Sequence, residues 1–233
     1  MLNVKFADGQ GTRAVVSDSG GSVWEIKIRR RRGEETDSGR CLFSGARGEV
    51  VTIAPLVIAA HQVPGRQLPE ESSVADSILA MASLSKAIVV ATRPKLSVMF
   101  SHQLEGDPRS LPLLTWQAVV IQLPKSRGRV VDPVFTFGRD KTIYFYQLTY
   151  TASAFNPARA LHFLPLRRVD LDYSVIALSW LSAHVFAVVD TAEKLHVRDA
   201  RLTKEISELV ELAGVEMVYG SAEFKVRIEP WSE

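Results

Sequence analysis

The sequence predicts a mainly β chain built from a returning unit of short strands, and three observations predict it. Apolar residues recur mostly with a period of two, in short runs rich in Val, Ile, Phe and Tyr, which is the pattern of pleated strands that bury one face. Polar turns carrying Gly, Pro, Asp or Ser separate these runs. The same order of runs and turns then comes back along the chain.

From the N-terminus, Leu2, Val4 and Phe6 alternate, and Asp8 to Gly11 make a turn. Ala14 to Ser17 and Val23 to Ile28 flank Asp18-Ser19-Gly20-Gly21, where glycine supplies the positive φ that a tight hairpin needs. Leu42 to Ser44 and Val50 to Ile53 read as a further hairpin around Gly45-Ala46-Arg47-Gly48, followed by a Pro/Glu/Ser-bearing loop from Val63 to Ser73. Ile78 to Leu84 and Ala87 to Ala91 lead through Thr92-Arg93-Pro94 into Leu96 to Phe100. Leu113 to Ile121 and Val134 to Phe137 lead through Gly138-Arg139-Asp140-Lys141 into Thr142 to Tyr150. Val175 to Leu181 and Val185 to Val189 lead through Asp190-Thr191-Ala192-Glu193 into Leu195 to Arg198.

Turns taken at Arg93, Asp140 and Thr191 lie 47 and 51 residues apart. Propeller blades of WD-repeat type return at roughly 40 to 45 residues, so the units read as slightly long blades. The expected fold is therefore a partial, open WD-repeat-like β-propeller of about four blades. It forms a single domain over 1–233, with approximate blades at 1–68, 69–111, 112–172 and 173–228 and a polar tail at 229–233. Two segments fit a helix and a strand alike: 74–85, through Val74, Ile78, Met81 and Ala82, and 202–213, through Leu202, Ile206, Leu209, Val210 and Ala213 before Gly214.

Composition narrows the function. Of the 233 residues, 46% are apolar and 23% charged, close to globular averages, which excludes collagen-like and linker-like chains. A net charge of +2 argues for neither nucleic acid nor an anionic membrane as a bulk partner. The lone Cys41 can make neither an internal disulfide nor a multi-cysteine zinc site, which suits a reducing compartment and excludes a RING finger. Met1 to Phe6 holds Lys5 and no apolar core of a secretory signal. The longest uncharged stretch, Val50 to Gly65, contains two prolines and is shorter than the ~20 apolar residues a spanning helix needs.

Few residues suggest chemistry. Asp18-Ser19-Gly20 and Asp190-Thr191-Ala192 invite an aspartic-type hydrolase, whose two carboxylates share one proton on matching glycine-bearing loops. Ala192 departs from that pattern, and turn capping by both aspartates is the simpler reading. His61, His102, His162, His184 and His196 show no metal-ligand spacing, and no Walker loop, Gly-x-Ser-x-Gly or Gly-x-Gly-x-x-Gly is present. No catalytic, cofactor-binding or metal-binding residue is therefore expected. Cys41 reads as a small packed hydrophobe, and Trp24, Trp116 and Trp180 as core anchors. Arg29 to Arg32, with Lys27, Arg40 and Arg47 nearby, is the one dense basic run and offers an alternative role in binding phosphate or nucleic acid. Glu34, Glu35 and Asp37 follow at once and no aromatics interleave, so a solvated loop is its default reading.

Several strings together resemble the vacuolar protein sorting 8 family: DSGGSV at Asp18 to Val23, RCLFSG at Arg40 to Gly45 with GEV at Gly48 to Val50, LAMASL at Leu79 to Leu84, PLLTW at Pro112 to Trp116, and EKLHV at Glu193 to Val197. They occur in the family's order, across roughly Leu2 to Phe224. The resemblance implies the N-terminal WD-repeat-like propeller of a CORVET tethering subunit: a non-enzymatic scaffold for endosomal vesicle tethering and vacuolar protein sorting. It implies contacts with other CORVET and class C core subunits and with the GTP form of an early-endosomal Rab GTPase. It further implies a cytoplasmic protein held peripherally on early endosomes through its partners. An incomplete propeller leaves unpaired strand edges, so the isolated chain is expected to be aggregation-prone or dependent on a partner.

Overall fold

A computed structural model describes residues 3–8, 11–28, 39–57, 77–93, 95–117, 120–122, 129–131, 133–150, 161–182 and 184–200. The first sheet is an antiparallel meander of β1 (Asn3–Phe6), β2 (Arg13–Ser17), β3 (Val23–Lys27) and β4 (Arg40–Phe43). The second runs in the same way through β5 (Thr52–Pro55), β6 (Ile78–Ala82), β7 (Lys86–Ala91) and β8 (Ser97–Gln103). In the third, β9 (Leu113–Gln117) is followed by a small separate hairpin, β10 (Val120–Gln122) and β11 (Arg129–Val131), and then by β12 (Val134–Arg139), β13 (Thr142–Tyr150) and β14 (Leu161–Asp170). The fourth has three strands among the described residues: β15 (Val175–Trp180), β16 (Val185–Asp190) and β17 (Leu195–Asp199).

The first strand of each sheet lies at its edge, and β5 sits beside β1, β9 beside β5 and β15 beside β9. The sheets therefore radiate from a common inner row of strands, the arrangement of an open, partial β-propeller. Apolar layers fill the gaps between them. Val15, Val23 and Leu42 meet Ile53, Leu79, Met81 and Val90 between the first two sheets. Ala54, Ala80, Ala82, Ala87 and Val89 of the second sheet meet Trp116, Phe135, Phe137 and Tyr144 of the third. Ile143 and Phe145 meet Leu178, Trp180, Phe186 and Val188 between the third and fourth.

Two sequence expectations are corrected here, and a third segment left open is resolved. The segments 42–44 and 50–53 do not form a hairpin, because β4 hydrogen-bonds to β3 in the first sheet and β5 to β6 in the second. Gly45–Arg47 is a single 3₁₀ turn on the path that crosses between the two sheets. The repeat frame moves accordingly. The counterparts of the turns at Asp140 and Thr191 are those at Ser19 and Leu84, and the Thr92-Arg93 turn is the next one out in its sheet. The segment open between helix and strand at 74–85 contributes β6, all five residues of which are buried. A strand covered on both faces carries no alternation, so its apolar run fits either period. The segment 202–213 and the tail 229–233 lie outside the described residues.

Polar side chains tie sheet to sheet. Arg139, at the end of β12 and 5% exposed, points its guanidinium into a ring of backbone carbonyls on the second sheet's loops: Leu84, Leu104 (2.8 Å), Glu105 (3.1 Å) and Gly106 (3.1 Å). Buried Glu25 on β3 pairs with Arg13 of its own sheet at 3.1 Å and with Arg93 of the second at 3.3 Å. The indole N–H groups of Trp116 and Trp180 donate to the preceding sheets, to the Ala54 carbonyl (2.9 Å) and to Thr136 Oγ1 (3.0 Å). Trp24 departs from the anchor expectation: it stands half exposed on the first sheet's outer face.

Two substitutions test these joints by urea denaturation. Arg139→Met leaves a buried site without its hydrogen bonds to four backbone carbonyls and is expected to lower stability by about 3 kcal/mol, whereas Arg168→Met, which removes exposed ion pairs to Glu105 (2.9 Å) and Asp170 (3.0 Å), changes it by less than ~1 kcal/mol. A Cβ at Gly45 would lie 1.8 Å from the Gly20 carbonyl oxygen, and one at Gly138 2.2 Å from that of Thr142. Alanine at either position is expected to cost about 3 kcal/mol or to prevent folding. At Gly11, whose φ is +67° and where a Cβ would make only ordinary contact with the Phe6 ring at 3.7 Å, alanine costs only the ~1 kcal/mol of left-handed strain.

Candidate interaction surface

In an antiparallel meander the second turn of a sheet and its exit to the next sheet lie at the same end. At this end the structure gathers the turns 18–22, 83–85, 140–141 and 191–194 with the crossing segments 44–51, 104–112 and 171–174. The turns are bonded to the crossings. Gly45 N donates to Ser22 Oγ (2.9 Å) and Val50 N to the Gly21 carbonyl (3.2 Å). Leu104 N reaches the Ser85 carbonyl (2.9 Å), while Leu171 N and Val175 N reach those of Lys141 (2.8 Å) and Asp140 (2.9 Å). Thr191 N then donates to the Ser174 carbonyl, which carries the pattern into the fourth sheet.

Aspartates fix two of the turns in one way. Asp18 Oδ1 accepts from the backbone N–H groups of Gly20 and Ser22, both at 2.9 Å, and its Oδ2 from the Trp24 indole at 3.1 Å. Asp190 repeats this at the same offsets: Oδ1 accepts from Ala192 (2.8 Å) and Lys194 (2.9 Å), and Oδ2 lies 2.8 Å from His196 Nε2. The His196 ring stacks on Tyr173 with centroids 3.9 Å apart. The bond from Trp24 and then that from Ser22 hold Asp18 below its usual pKa, and the bonds from His196 and then Lys194 do so for Asp190. A hydrolytic dyad needs one carboxyl kept protonated by the other. Here both titrate low, in the first and fourth sheets, with each oxygen engaged by its own hairpin. The two aspartates are hairpin caps.

Asp140 is the joint that the sequence reading passed over. Its φ is +55°, its Oδ1 accepts from Ser174 Oγ and its Oδ2 from Asp107 N at 3.3 Å, so one side chain bridges the crossings on both sides of its sheet. The Gly-Arg-Asp-Lys string marks a turn and nothing about those partners. Arg139 beside it was equally silent, since a single arginine in a turn reads as solvated.

The remaining candidates stay apart. His102, His162, His184 and His196 lie on four separate segments, and His61 and Arg29 to Arg32 fall outside the described residues. Among the described residues no cluster of three or more His, Cys, Asp or Glu could hold a metal ion. Cys41 is exposed on β4, contrary to the packed reading, because it stands on the outer face of the first sheet beside Trp24. Among the described residues the buried Gln117 Oε1 lacks a hydrogen-bond partner, and it stands on the opposite face of the third sheet from the buried Tyr144 phenol, so the two form no common site. Burial pushes the Tyr144 phenol up to about 12. No helix among the described residues is long and apolar enough to cross a membrane.

Radial meanders whose turns and crossings are welded into one rim define the protein as a WD-repeat-like β-propeller. A solved structure agrees at the level of fold: the WD40 domain of SCAP from fission yeast superposes with a TM-score of 0.52 at 10% identity, over 85% of this chain and 41% of that one. The Vps8 β-propeller family profile matches residues 1–228, and the chain belongs to that family. It is 40% identical over 225 residues to the vacuolar protein sorting-associated protein 8 homolog of Drosophila melanogaster, and 37% and 36% identical over 226 residues to those of Homo sapiens and Mus musculus. Each match takes in 97% of this chain but only 17% of the fly protein and 14% of the two mammalian ones, so the chain spans about a sixth of the length of these relatives.

The caps carry a pH signature. Because both folded pKa values lie below the ordinary 3.8, the unfolded chain takes up these protons first as pH falls. Their stabilisation is complete above that value and disappears as pH drops through the folded ones. Asp190→Asn is expected to lower the urea midpoint at pH 7 and to flatten its decline below pH 3.8, as read from midpoints across a pH series.

Proposed function

We propose that the chain is a non-enzymatic interaction scaffold for vacuolar protein sorting, acting in endosomal vesicle tethering. The observation that carries this reading is the 36–40% identity to three Vps8 homologues along 97% of the chain. The rim supports it, because stacked sheets hold loops rigidly while leaving their exposed atoms free to vary. Ser19, Glu49, Leu84, Glu105, Asp107, Arg109 and Glu193 project there without a structural task as heavy as that of the capping aspartates. In this reading the partners are other CORVET and class C core subunits and an early-endosomal Rab GTPase in its GTP form. The protein is cytoplasmic and reaches early endosome membranes peripherally, through those partners.

The test is capture of the chain by an immobilised early-endosomal Rab loaded with GTP or GDP. Retention is expected with GTP alone, and equal retention on both nucleotides removes the Rab contact. A paired assay addresses hydrolysis. Peptidase activity of the chain is expected to be indistinguishable from that of an Asp18→Ala, Asp190→Ala variant, and a loss confined to the variant would reinstate the enzyme reading.

A further inference from the structure

The end of the first two sheets that lies opposite the rim is rich in cations. Arg13 opens β2, Lys27 closes β3, Arg40 opens β4, and Arg93 and Lys95 occupy the turn from β7 to β8, so antiparallel order brings all five to this end. They also meet across the joint. Arg13 stands opposite Lys27 in the β2–β3 register, and Arg40 opposite Glu25 in the β3–β4 register. Arg13 and Arg93 both pair with the Glu25 carboxylate, at 3.1 and 3.3 Å, while Arg40 donates to the Thr92 carbonyl at 3.0 Å. Lys27, Arg40, Arg93 and Lys95 are exposed.

Among the described residues the acids of these sheets at this end are Glu25 and Asp8, the latter 3.4 Å from Arg13. Five cations thus share two carboxylates. The connections 29–38 and 58–76, which leave these sheets at the same end and lie outside the described residues, carry five arginines against six acids, too few acids to cancel the excess. Cations placed directly opposite each other, as Arg13 and Lys27 are, cost stability that an anion laid over them restores. The rim has the reverse sign, with seven acids against four bases along the turns and crossings gathered there. A planar array of phosphates attracts the one end and repels the other, which orients the chain with its rim outward. Nucleic acid fits less well, because Phe6 and Trp24 point to the other face of the first sheet and leave no ring beside the cations for a base to stack on. Both sheets of the joint lie within residues 3–103, so the patch does not depend on what completes the propeller.

We propose that this end of the first two sheets rests on an anionic phospholipid surface, whose headgroup phosphates take up the unmatched charge of Lys27, Arg40, Arg93 and Lys95. The contact is direct, in addition to the attachment through partners proposed above. Co-sedimentation of the full chain with vesicles tests it. Retention is expected on phosphatidylcholine vesicles holding about one-third phosphatidylserine and not on phosphatidylcholine alone, and it is expected to disappear as salt rises from about 0.05 to 0.5 M. Lys27→Gln with Lys95→Gln removes two exposed charges and is expected to weaken binding about 25-fold, or about fivefold per charge. Should that pair lose its β-sheet circular dichroism, Lys95→Gln alone carries the fivefold expectation. Lys141→Gln with Lys194→Gln makes the same change of net charge at the rim and is expected to leave binding unaltered.

Four results would overturn the proposal. Absence of retention on the anionic vesicles denies this end a lipid role, and equal retention on both kinds of vesicle removes charge from the contact. Equal weakening by the two lysine pairs reduces the effect to net charge, and tighter binding to a single-stranded oligonucleotide at matched phosphate assigns the end to nucleic acid. The vesicles carry no Rab, so each of these results leaves the nucleotide-dependent capture untouched.

Discussion

Every strand meander in this chain has two apolar faces, and a sheet in water can leave only one of them solvated at low cost. Radial stacking resolves this for the second and third sheets by giving each a neighbour on either side. The second sheet shows the consequence most plainly: all five residues of Ile78–Ala82 are buried, since the first sheet covers one side and the third the other. Burying one large apolar side chain contributes about 1.5–3 kcal/mol, and each gap between sheets buries several. Where Trp116, Phe135 and Phe137 fill the layer from one side, Ala54, Ala80, Ala82 and Ala87 stand opposite on the inner strands, and Phe100 of β8 meets Phe135 and Phe137 edge-on farther out.

Apolar layers alone would let one sheet slide or tilt on the next, because dispersion and burial have no direction. Directional groups remove that freedom. A typical hydrogen bond adds only about 1 kcal/mol net, so the indoles of Trp116 and Trp180 contribute modestly to stability, yet each one fixes the height of its sheet against the one before. Arg139 is the extreme case. Its guanidinium is solvated by four carbonyls from the loops of a neighbouring sheet, so the geometry of both loops must be right before the charge can be buried. Glu25 sets the other boundary in the same way, with one arginine from each sheet.

Local pattern made most strands legible. The period-two runs from Ala14 to Ile28, Leu113 to Tyr150 and Val175 to Arg198 coincide with β2, β3, β9, β12, β13 and β15 to β17, because these strands are bounded by turns whose residues declare themselves. Partnership was less legible. β5 lies far in sequence from β6, its pairing partner, and close to β4, so proximity suggested a hairpin where the chain in fact changes sheets. That one misassignment shifted the repeat by a strand. The rim was half legible: Asp18 and Asp190 act within their own hairpins and were readable as caps. Asp140 and Arg139 act on residues more than 30 positions away, and no local pattern encodes such partners.

The same division explains what family likeness can and cannot report. The strings that resemble the family sit on joints. Asp18 and Ser22 hold the first rim turn, and Gly21, at φ +74°, leaves no room for a Cβ against Glu49. Gly45 is pinned against Gly20, Trp116 stitches the third sheet to the second, and His196 completes the Asp190 cap. Each residue is constrained by contacts inside the propeller, so its retention follows from folding whatever the rim binds. Partner choice has to reside in residues free of those duties, such as Leu84 and Leu111, both exposed at the same end as the crossings. A rim held rigid by its caps, whose exposed side chains carry no packing duty, can change what it presents without changing fold.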